Sequence, residues 1–585
     1  MISHTLRPEP NAHYWHITLD FTQPDNVPAV LKLANWVPGS YTIRDFARHI
    51  VEIHAECNGQ PAALVQTAKN TWRTAAQAGA WRVRYTVYAY DLSVRAAYLT
   101  AERGFFDGAC LLFAIEGRLN ETQTLVLEHL PEGWQTVTTL PAIGANVFQT
   151  ASYGELIDHP VELGRIETLA FEAHGIPHRI ALSGHYPDFD RDRLRRDVQR
   201  ICETQLAMFP DPAPFAEYLF LLHLGDNIYG GLEHRSSTAL HADRRSLPPR
   251  GMGEANEACT QLLGLFSHEY FHAWNVKSVK PAAFAPYDLD RENHTEQLWA
   301  FEGITAYYDD LLLARSRVIS PENYLTLLAK NITRVQRNKG RLKQTLAQSS
   351  YTAWHKYYKA DENAPNALVS YYQQGALAAL CLDLAIREQS AGAHSLDTVM
   401  QQLYRDWLHT RRGIAEGQWQ TRCQEITGLD LADFFQTALH TTASLPLAES
   451  LCTAGIRLQY AALPRSHGGG LGTDDALPPE PAPDFGARFS QKADHALLTH
   501  ILNGGSAEAA ALCPGDKIIA VNNYACTDLA GILAAARTGD TLEIHYFRHG
   551  LLHRTALTLH EAEADTALLY IEDADKLGRW LAGTL

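Results

Sequence analysis

Hydrophobic periodicity changes character along this chain, and that change constrains the fold more than any single residue does. Over about residues 10–170, short β-rich runs alternate with turn signals. His13-Tyr14-Trp15-His16-Ile17-Thr18-Leu19, Trp81-Arg82-Val83-Arg84-Tyr85-Thr86-Val87-Tyr88 and Thr124-Leu125-Val126-Leu127 are examples. From about 190 to 455 the apolar residues recur at helical spacing, over 254–275, 296–316, 321–337 and 374–389. Pro281 and Pro286 stop the first of these before a helix resumes near Glu296. Arg465-Ser466-His467-Gly468-Gly469-Gly470-Leu471-Gly472 and Pro478-Pro479-Glu480-Pro481 are too rich in Gly and Pro to bury a core. Beyond them, 485 to about 569 returns to short strands with two helical pieces.

A chain of 585 residues exceeds what one hydrophobic core supports. The expected organisation is multidomain: an N-terminal antiparallel β-sandwich over 1–172, a mainly α-helical domain over 173–463, a Gly/Pro-rich linker over 464–484, an α+β module over 485–570 and a C-terminal tail over 571–585. A formal net charge of -16 argues against a partner that presents a phosphate backbone, so no nucleic acid is expected. The start, Met1-Ile2-Ser3-His4-Thr5-Leu6-Arg7-Pro8, lacks the basic and apolar runs of a secretory signal. The most apolar stretches, 218–224 and 376–386, fall far short of the roughly 20 residues that span a bilayer. No membrane association is expected. Nine singly scattered cysteines without a C-x-x-C pair suit neither a disulfide framework nor a thiolate zinc site, and a reducing cytoplasm fits them best.

The strongest chemical signal is Ser267-His268-Glu269-Tyr270-Phe271-His272-Ala273-Trp274-Asn275. Histidines at i and i+4 of a helix lie on one face, so both imidazoles can reach one metal ion, and this spacing suits zinc. Glu269 is rotated about 100° from His268. From there it can reach a metal-bound water as a general base without being a ligand. Catalytic zinc takes three protein ligands and leaves a fourth position open. Leu298-Trp299-Ala300-Phe301-Glu302-Gly303-Ile304 sets one carboxylate, Glu302, in an apolar helical run, where a charge is costly unless it is paired or metal-bound. Glu302 is the candidate third ligand, with an ordinary buried ion pair as the alternative.

Two further segments are weaker. Tyr229-Gly230-Gly231-Leu232-Glu233-His234 pairs glycines, which admit close approach of a substrate, with a carboxylate that could receive a peptide's ammonium. A plain surface turn is the competing reading. Ser370-Tyr371-Tyr372-Gln373-Gln374-Gly375 could give a phenol to an oxyanion, although packing tyrosines are commoner.

Together, HEYFHAWN, WAFEGITAYY, GGLEH and SYYQQG resemble the PDZ-containing glycyl aminopeptidases, gluzincin metallopeptidases related in their catalytic domain to aminopeptidase N. Trp36-Val37-Pro38-Gly39-Ser40-Tyr41-Thr42-Ile43-Arg44-Asp45-Phe46-Ala47-Arg48 and Leu512-Cys513-Pro514-Gly515-Asp516-Lys517-Ile518-Ile519-Ala520-Val521-Asn522 extend the resemblance to the N-terminal domain and to the C-terminal module. It implies a thermolysin-like catalytic domain, a C-terminal PDZ domain, and one Zn2+ per chain held by His268, His272 and Glu302, with Glu269 as base. It implies that Glu233 holds the substrate's α-amino group, beside the substrate-binding glycines Gly230 and Gly231, and that Tyr372 serves the oxyanion with Tyr371 as neighbouring competitor. His272 and Glu302 stand 30 residues apart, further than in aminopeptidase N, so the extra segment 281–294 is expected beside the site. The Phe485-Gly486-Ala487-Arg488-Phe489 loop is only loosely of the peptide-binding PDZ type.

The expected function is zinc-dependent removal of N-terminal residues from peptides, with the preference for Gly or Ala implied by the resemblance alone. Two rivals are an endopeptidase that grips substrate tails through the PDZ module, and a non-catalytic interaction protein with a structural metal. A C-terminal peptide is the possible PDZ ligand.

Overall fold

The computed structural model describes residues 2–473 and 480–583. Residues 474–479 of the expected linker and the last two of the expected tail lie outside that range. The chain forms two compact units, Met1–His294 with Ser316–Ile319 and Gln401–Ala415, and Thr295–Arg315 with Ser320–Met400 and Glu416–Leu585.

The first unit opens with β-rich structure. Strand Tyr14–Gln23 buries nearly every second side chain, the signature of a sheet with one face on a core. It pairs antiparallel with Ile2–Glu9 and Gly79–Tyr88 inside an eight-stranded sheet. Two four-stranded sheets accompany it, and Trp15, Leu19, Val83, Phe105 and Phe113 are among the residues of one shared core. The antiparallel expectation needs one correction, because Ile2–Glu9 pairs parallel with Gln123–Leu127. Local alternation fixes which face a strand buries and says nothing about the direction of a partner more than a hundred residues away.

A five-stranded sheet follows in the same unit. Strands Ile176–Gly184, Tyr218–Gly225 and Ser237–Asp243 run parallel, joined across the first gap by helix Arg191–Met208. Glu167–Ala173 and Gly230–Glu233 form the antiparallel edges. Helix Glu257–Phe271 lies against the last two strands, its first turn capped by Asn256, which accepts from the Cys259 amide. It ends before Asn275, earlier than the apolar pattern suggests. The Asn275 amide still makes an i→i−4 bond to Phe271, but beyond it the Lys277 amide and the Ser278 hydroxyl take the carbonyls of His272 and Ala273 in bonds that do not continue the α-helical ladder.

The second unit is the helical body, and Ile304–Arg315, Pro321–Gln336 and Gln373–Gln389 pack together in it. Strands Ile456–Ala461 and Thr566–Ile571 pair antiparallel as a stem. The module between them has its own sheet, two short helices (Ser506–Ala509, Leu529–Ala535) and its own core around Phe485, Leu498, Ile518, Ile544 and Leu557. Arg337 fastens the stem, reaching Asp565 at 2.9 Å and the Thr566 hydroxyl at 2.7 Å. The chain's last element is helix Ala574–Leu581, whose Trp580 is buried against Tyr324 with ring centroids 5.7 Å apart. All nine cysteines are free. Among the described residues, no helix is long and apolar enough to cross a membrane.

Candidate active site

In the first unit, helix Glu257–Phe271 and the edge strand Gly230–Glu233 build one side of a polar centre. His268 and Glu269 lie in the last turn of the helix, and His272 caps it in helical conformation. The two imidazoles therefore stay one turn apart, with ring centroids 4.7 Å apart and planes at 89°. The carbonyl of Asn275 lies 2.8 Å from His272 Nδ1. A carbonyl can only accept, so Nδ1 carries the proton and Nε2 the lone pair. Metal-ligating histidines are commonly oriented by such a bond.

Glu269 is 5% exposed, and ligand-capable atoms of Glu233, Glu269 and His272 all lie within 4.8 Å of one another. Burial above all pushes the Glu269 carboxyl up to about 7. Glu233 pushes the same way, while the two imidazoles and Arg95 pull against it. Two glycines make room for the two carboxylates. A Cβ on Gly231 would fall 2.0 Å from Glu269 Oε1, and one on Gly39 would fall 2.6 Å from both oxygens of Glu233. Gly230 and Gly231 thus lie in a strand, not in the surface turn that was the competing reading. Pairing with Ser237–Asp243 overrides the local turn preference of two glycines.

Gly39 belongs to the run 36–48, which is seated by the segment 281–294. Trp36 Nε1 donates to the Asp288 carbonyl at 2.8 Å, Asn35 Nδ2 to that of Asp290 at 2.8 Å, and Tyr41 stacks on Phe284. The extra segment after the histidines therefore buttresses the loop that carries Gly39. Arg95 comes from the same β-rich region and donates from Nη2 to the Gly231 carbonyl at 2.8 Å. Sequence reasoning missed both Gly39 and Arg95, since neither is near the motif in the chain.

In the second unit, Glu302 sits in a π-helical turn, Trp299–Gly303, at the start of helix Ile304–Arg315. It is 2% exposed. Such a turn adds a residue to the helical repeat and is frequent at functional sites. Tyr371 and Tyr372 immediately precede helix Gln373–Gln389, which crosses the Glu302 turn with glycine against glycine. A Cβ on Gly303 would lie 2.6 Å from Gly375 Cα. The closing glycine of SYYQQG is explained by this approach. Tyr358 links the two phenols, its hydroxyl 2.8 Å from that of Tyr372 and 3.2 Å from that of Tyr371. Burial lifts the Tyr372 phenol well above its usual range, and the Glu302 carboxylate adds to the effect.

Comparison with known proteins adds to this geometry. Residues 261–378 match the M61 glycyl aminopeptidase family, and residues 5–165 match the Peptidase M61 N-terminal domain. The crystal structure of an aminopeptidase N family protein from Idiomarina loihiensis is 38% identical, covers 99% of this chain and 100% of its own, and superposes with a TM-score of 0.94. An M1 zinc metallopeptidase from Deinococcus radiodurans is more distant, at 14% identity over 76% of this chain and 94% of its own, with a TM-score of 0.47. No curated protein matches.

Proposed function

The chain belongs to the M61 glycyl aminopeptidase family and is a metallopeptidase of the aminopeptidase kind, and from that premise we propose that it removes small N-terminal residues, glycine or alanine, from peptides. In this reading one zinc ion is held by His268, His272 and Glu302, with Glu269 as general base. The observation that carries the proposal is the buried grouping of Glu233, Glu269 and His272. Two carboxylates this close repel in a site with little water, and the grouping is relieved by cations. A metal on the imidazole side and a substrate ammonium on the Glu233 side supply two.

The donor set fits zinc. Two neutral imidazoles and a carboxylate with an open fourth position are a common catalytic arrangement, and the Asn275 carbonyl fixes the required tautomer of His272. Bound there, zinc would polarise the scissile carbonyl and make water a stronger acid. The protein's own groups do the rest. Glu233 holds the substrate's ammonium and so admits one residue beyond the scissile bond. Glu269, with a carboxyl held near neutrality by burial, accepts a proton from the attacking water and passes it to the leaving amine. Tyr372 donates to the oxyanion, and Tyr358 and Tyr371 fix the direction of its hydroxyl. We read 1–172 as a β-sandwich domain, 173–463 as the catalytic domain and 485–570 as a PDZ domain, whose peptide groove would run between strand Ala487–Gln491 and helix Leu529–Ala535.

The test is to purify the wild type and Glu269→Gln, measure bound zinc in each, and assay glycyl and alanyl p-nitroanilides beside an acetylated peptide. Equal zinc, a variant slowed about 10²- to 10⁴-fold, and no cleavage of the blocked peptide are expected. Unaltered activity in the variant removes Glu269 from the mechanism, and cleavage of the blocked peptide removes the aminopeptidase assignment.

A further inference from the structure

Strand Gly230–Glu233 is the outer member of its sheet, paired on one side with Ser237–Asp243. The His234 amide donates inward to the Ser237 carbonyl at 2.9 Å, and the Leu232 carbonyl accepts from the Thr238 hydroxyl on the same side. Backbone groups of an antiparallel strand alternate sides, so the carbonyls of Gly231 and Glu233 face the open edge. An extended peptide added there would run antiparallel to the strand, with its ammonium at Glu233 and its chain passing Gly231.

Arg95 already occupies that edge. Its Nη2 donates to the outward Gly231 carbonyl, and its Nη1 lies 3.4 Å from where a Gly230 Cβ would be. A guanidinium carries five N–H donors in a planar fork matched to a carboxylate. Among the described residues no carboxylate forms a salt bridge with this guanidinium, although its charge acts on the buried Glu269 carboxyl. The contact also withdraws the acceptor that a longer peptide strand would use at Gly231.

From the Glu233 position to the Gly231 position is two strand residues, about 6.6 Å. A fully extended dipeptide spans at most about 7 Å. Resting on the assignment of Glu233 as the ammonium site, we infer that Arg95 binds the C-terminal carboxylate of the substrate, so that the enzyme favours free dipeptides that begin with a small residue. The two charged ends of such a dipeptide meet opposite charges at either end of one short strand, and the scissile bond lies between them.

The test compares kcat/KM for Gly-Ala and for its C-terminal amide, Gly-Ala-NH2, with glycine p-nitroanilide as a substrate that has no carboxylate. A charge-assisted forked contact predicts that the wild type favours the free acid by about tenfold to a hundredfold. In Arg95→Gln, which can still donate to Gly231, that ratio should fall to within about threefold of unity. In Arg95→Lys it should be intermediate, because the charge remains and the fork is lost. Melting temperature and zinc content establish that each variant is folded and loaded. A wild-type ratio near one, or an Arg95→Gln ratio equal to that of the wild type, overturns the inference. If either occurs while glycine p-nitroanilide is still cleaved, only the role of Arg95 falls. If the wild type cleaves none of the three substrates, the aminopeptidase reading fails and this inference falls with it.

Discussion

Replacing Gly231 by alanine adds one methyl group at a point where the structure leaves no space for it. The new Cβ would stand 2.0 Å from Glu269 Oε1, 2.3 Å from Cδ and 2.6 Å from Cγ, whereas ordinary contacts begin at 3.4 Å. About 1.4 Å must be found. The strand cannot readily yield it, because Gly230–Glu233 is registered residue by residue against Ser237–Asp243. The helix is no freer, since the Tyr218 hydroxyl donates to the Glu269 carbonyl at 3.3 Å and Tyr270, next in the helix, is fully buried. The side chain of Glu269 has to move instead. A misplacement of 1 Å costs roughly 10²-fold in rate. Full loss of a general base costs at most about 10⁴-fold, so kcat should fall between those limits, about 2.7 to 5.4 kcal/mol in barrier height. The imidazoles are not touched, so zinc content should stay at the wild-type level. KM for a free-amine substrate should change little, because Glu233 is cradled separately by Gly39. Steady-state kinetics on glycine p-nitroanilide, metal analysis and a melting curve read the three quantities. A folded, zinc-loaded Gly231→Ala enzyme with kcat within threefold of wild type would refute the claim that Glu269 acts from the position seen here.

Three other outcomes follow from the same geometry. Gly39→Ala places a Cβ 2.6 Å from both Glu233 oxygens and forces an alanine to φ 95°, so KM for free-amine substrates should rise at least about tenfold, with kcat less affected; an unchanged KM in a folded variant would refute the cradle. Glu302→Ala should lose bound zinc on dialysis, and stoichiometric zinc after dialysis would remove Glu302 from the ligand set. Acid stability is set partly by His4, His159 and His178, which burial lowers to about 4 from an ordinary 6.5. Their unfolded forms bind protons first, so the stability they contribute is complete above pH 6.5 and drains away as the pH falls from there towards 4. The melting temperature should fall more steeply with pH below 6.5 than above it. His4→Met should flatten the fall by about 1.4 kcal/mol per pH unit, and an identical slope in that variant would exclude His4 from the effect.

How much of this was legible in the sequence depends on where each constraint resides. The spacing of His268 and His272 encodes its own geometry, because a helix converts four residues into one turn whatever surrounds it. The isolation of Glu302 among apolar neighbours was equally visible. The π turn that carries it was not, since bonding one residue further along leaves no mark on hydrophobic periodicity. The strand at Gly230–Glu233 reads locally as a turn, and only the partner strand at Ser237–Asp243 makes it otherwise. Tyr358 is brought to Tyr371 and Tyr372 by an irregular segment with no repeat to follow.

The two carboxylates show why motifs are readable and the space around them is not. Glu269 is announced by its place between the histidines, and Glu233 by its place after two glycines. In the proposed mechanism each can act only because a glycine leaves room for it: Gly231 for Glu269, and Gly39, 194 residues before Glu233 in the chain, for the other. A residue required for being absent as a side chain has no chemical signature of its own, and its meaning appears only when the atom it excludes is known. The same holds for Arg95, which is one arginine among many until the sheet edge it borders is seen to be the edge along which a substrate would lie. The β-rich N-terminal region would then be part of the proposed chemistry, because it supplies both Gly39 and Arg95. Removing it should abolish amine selectivity even if the helix with its two histidines remained folded.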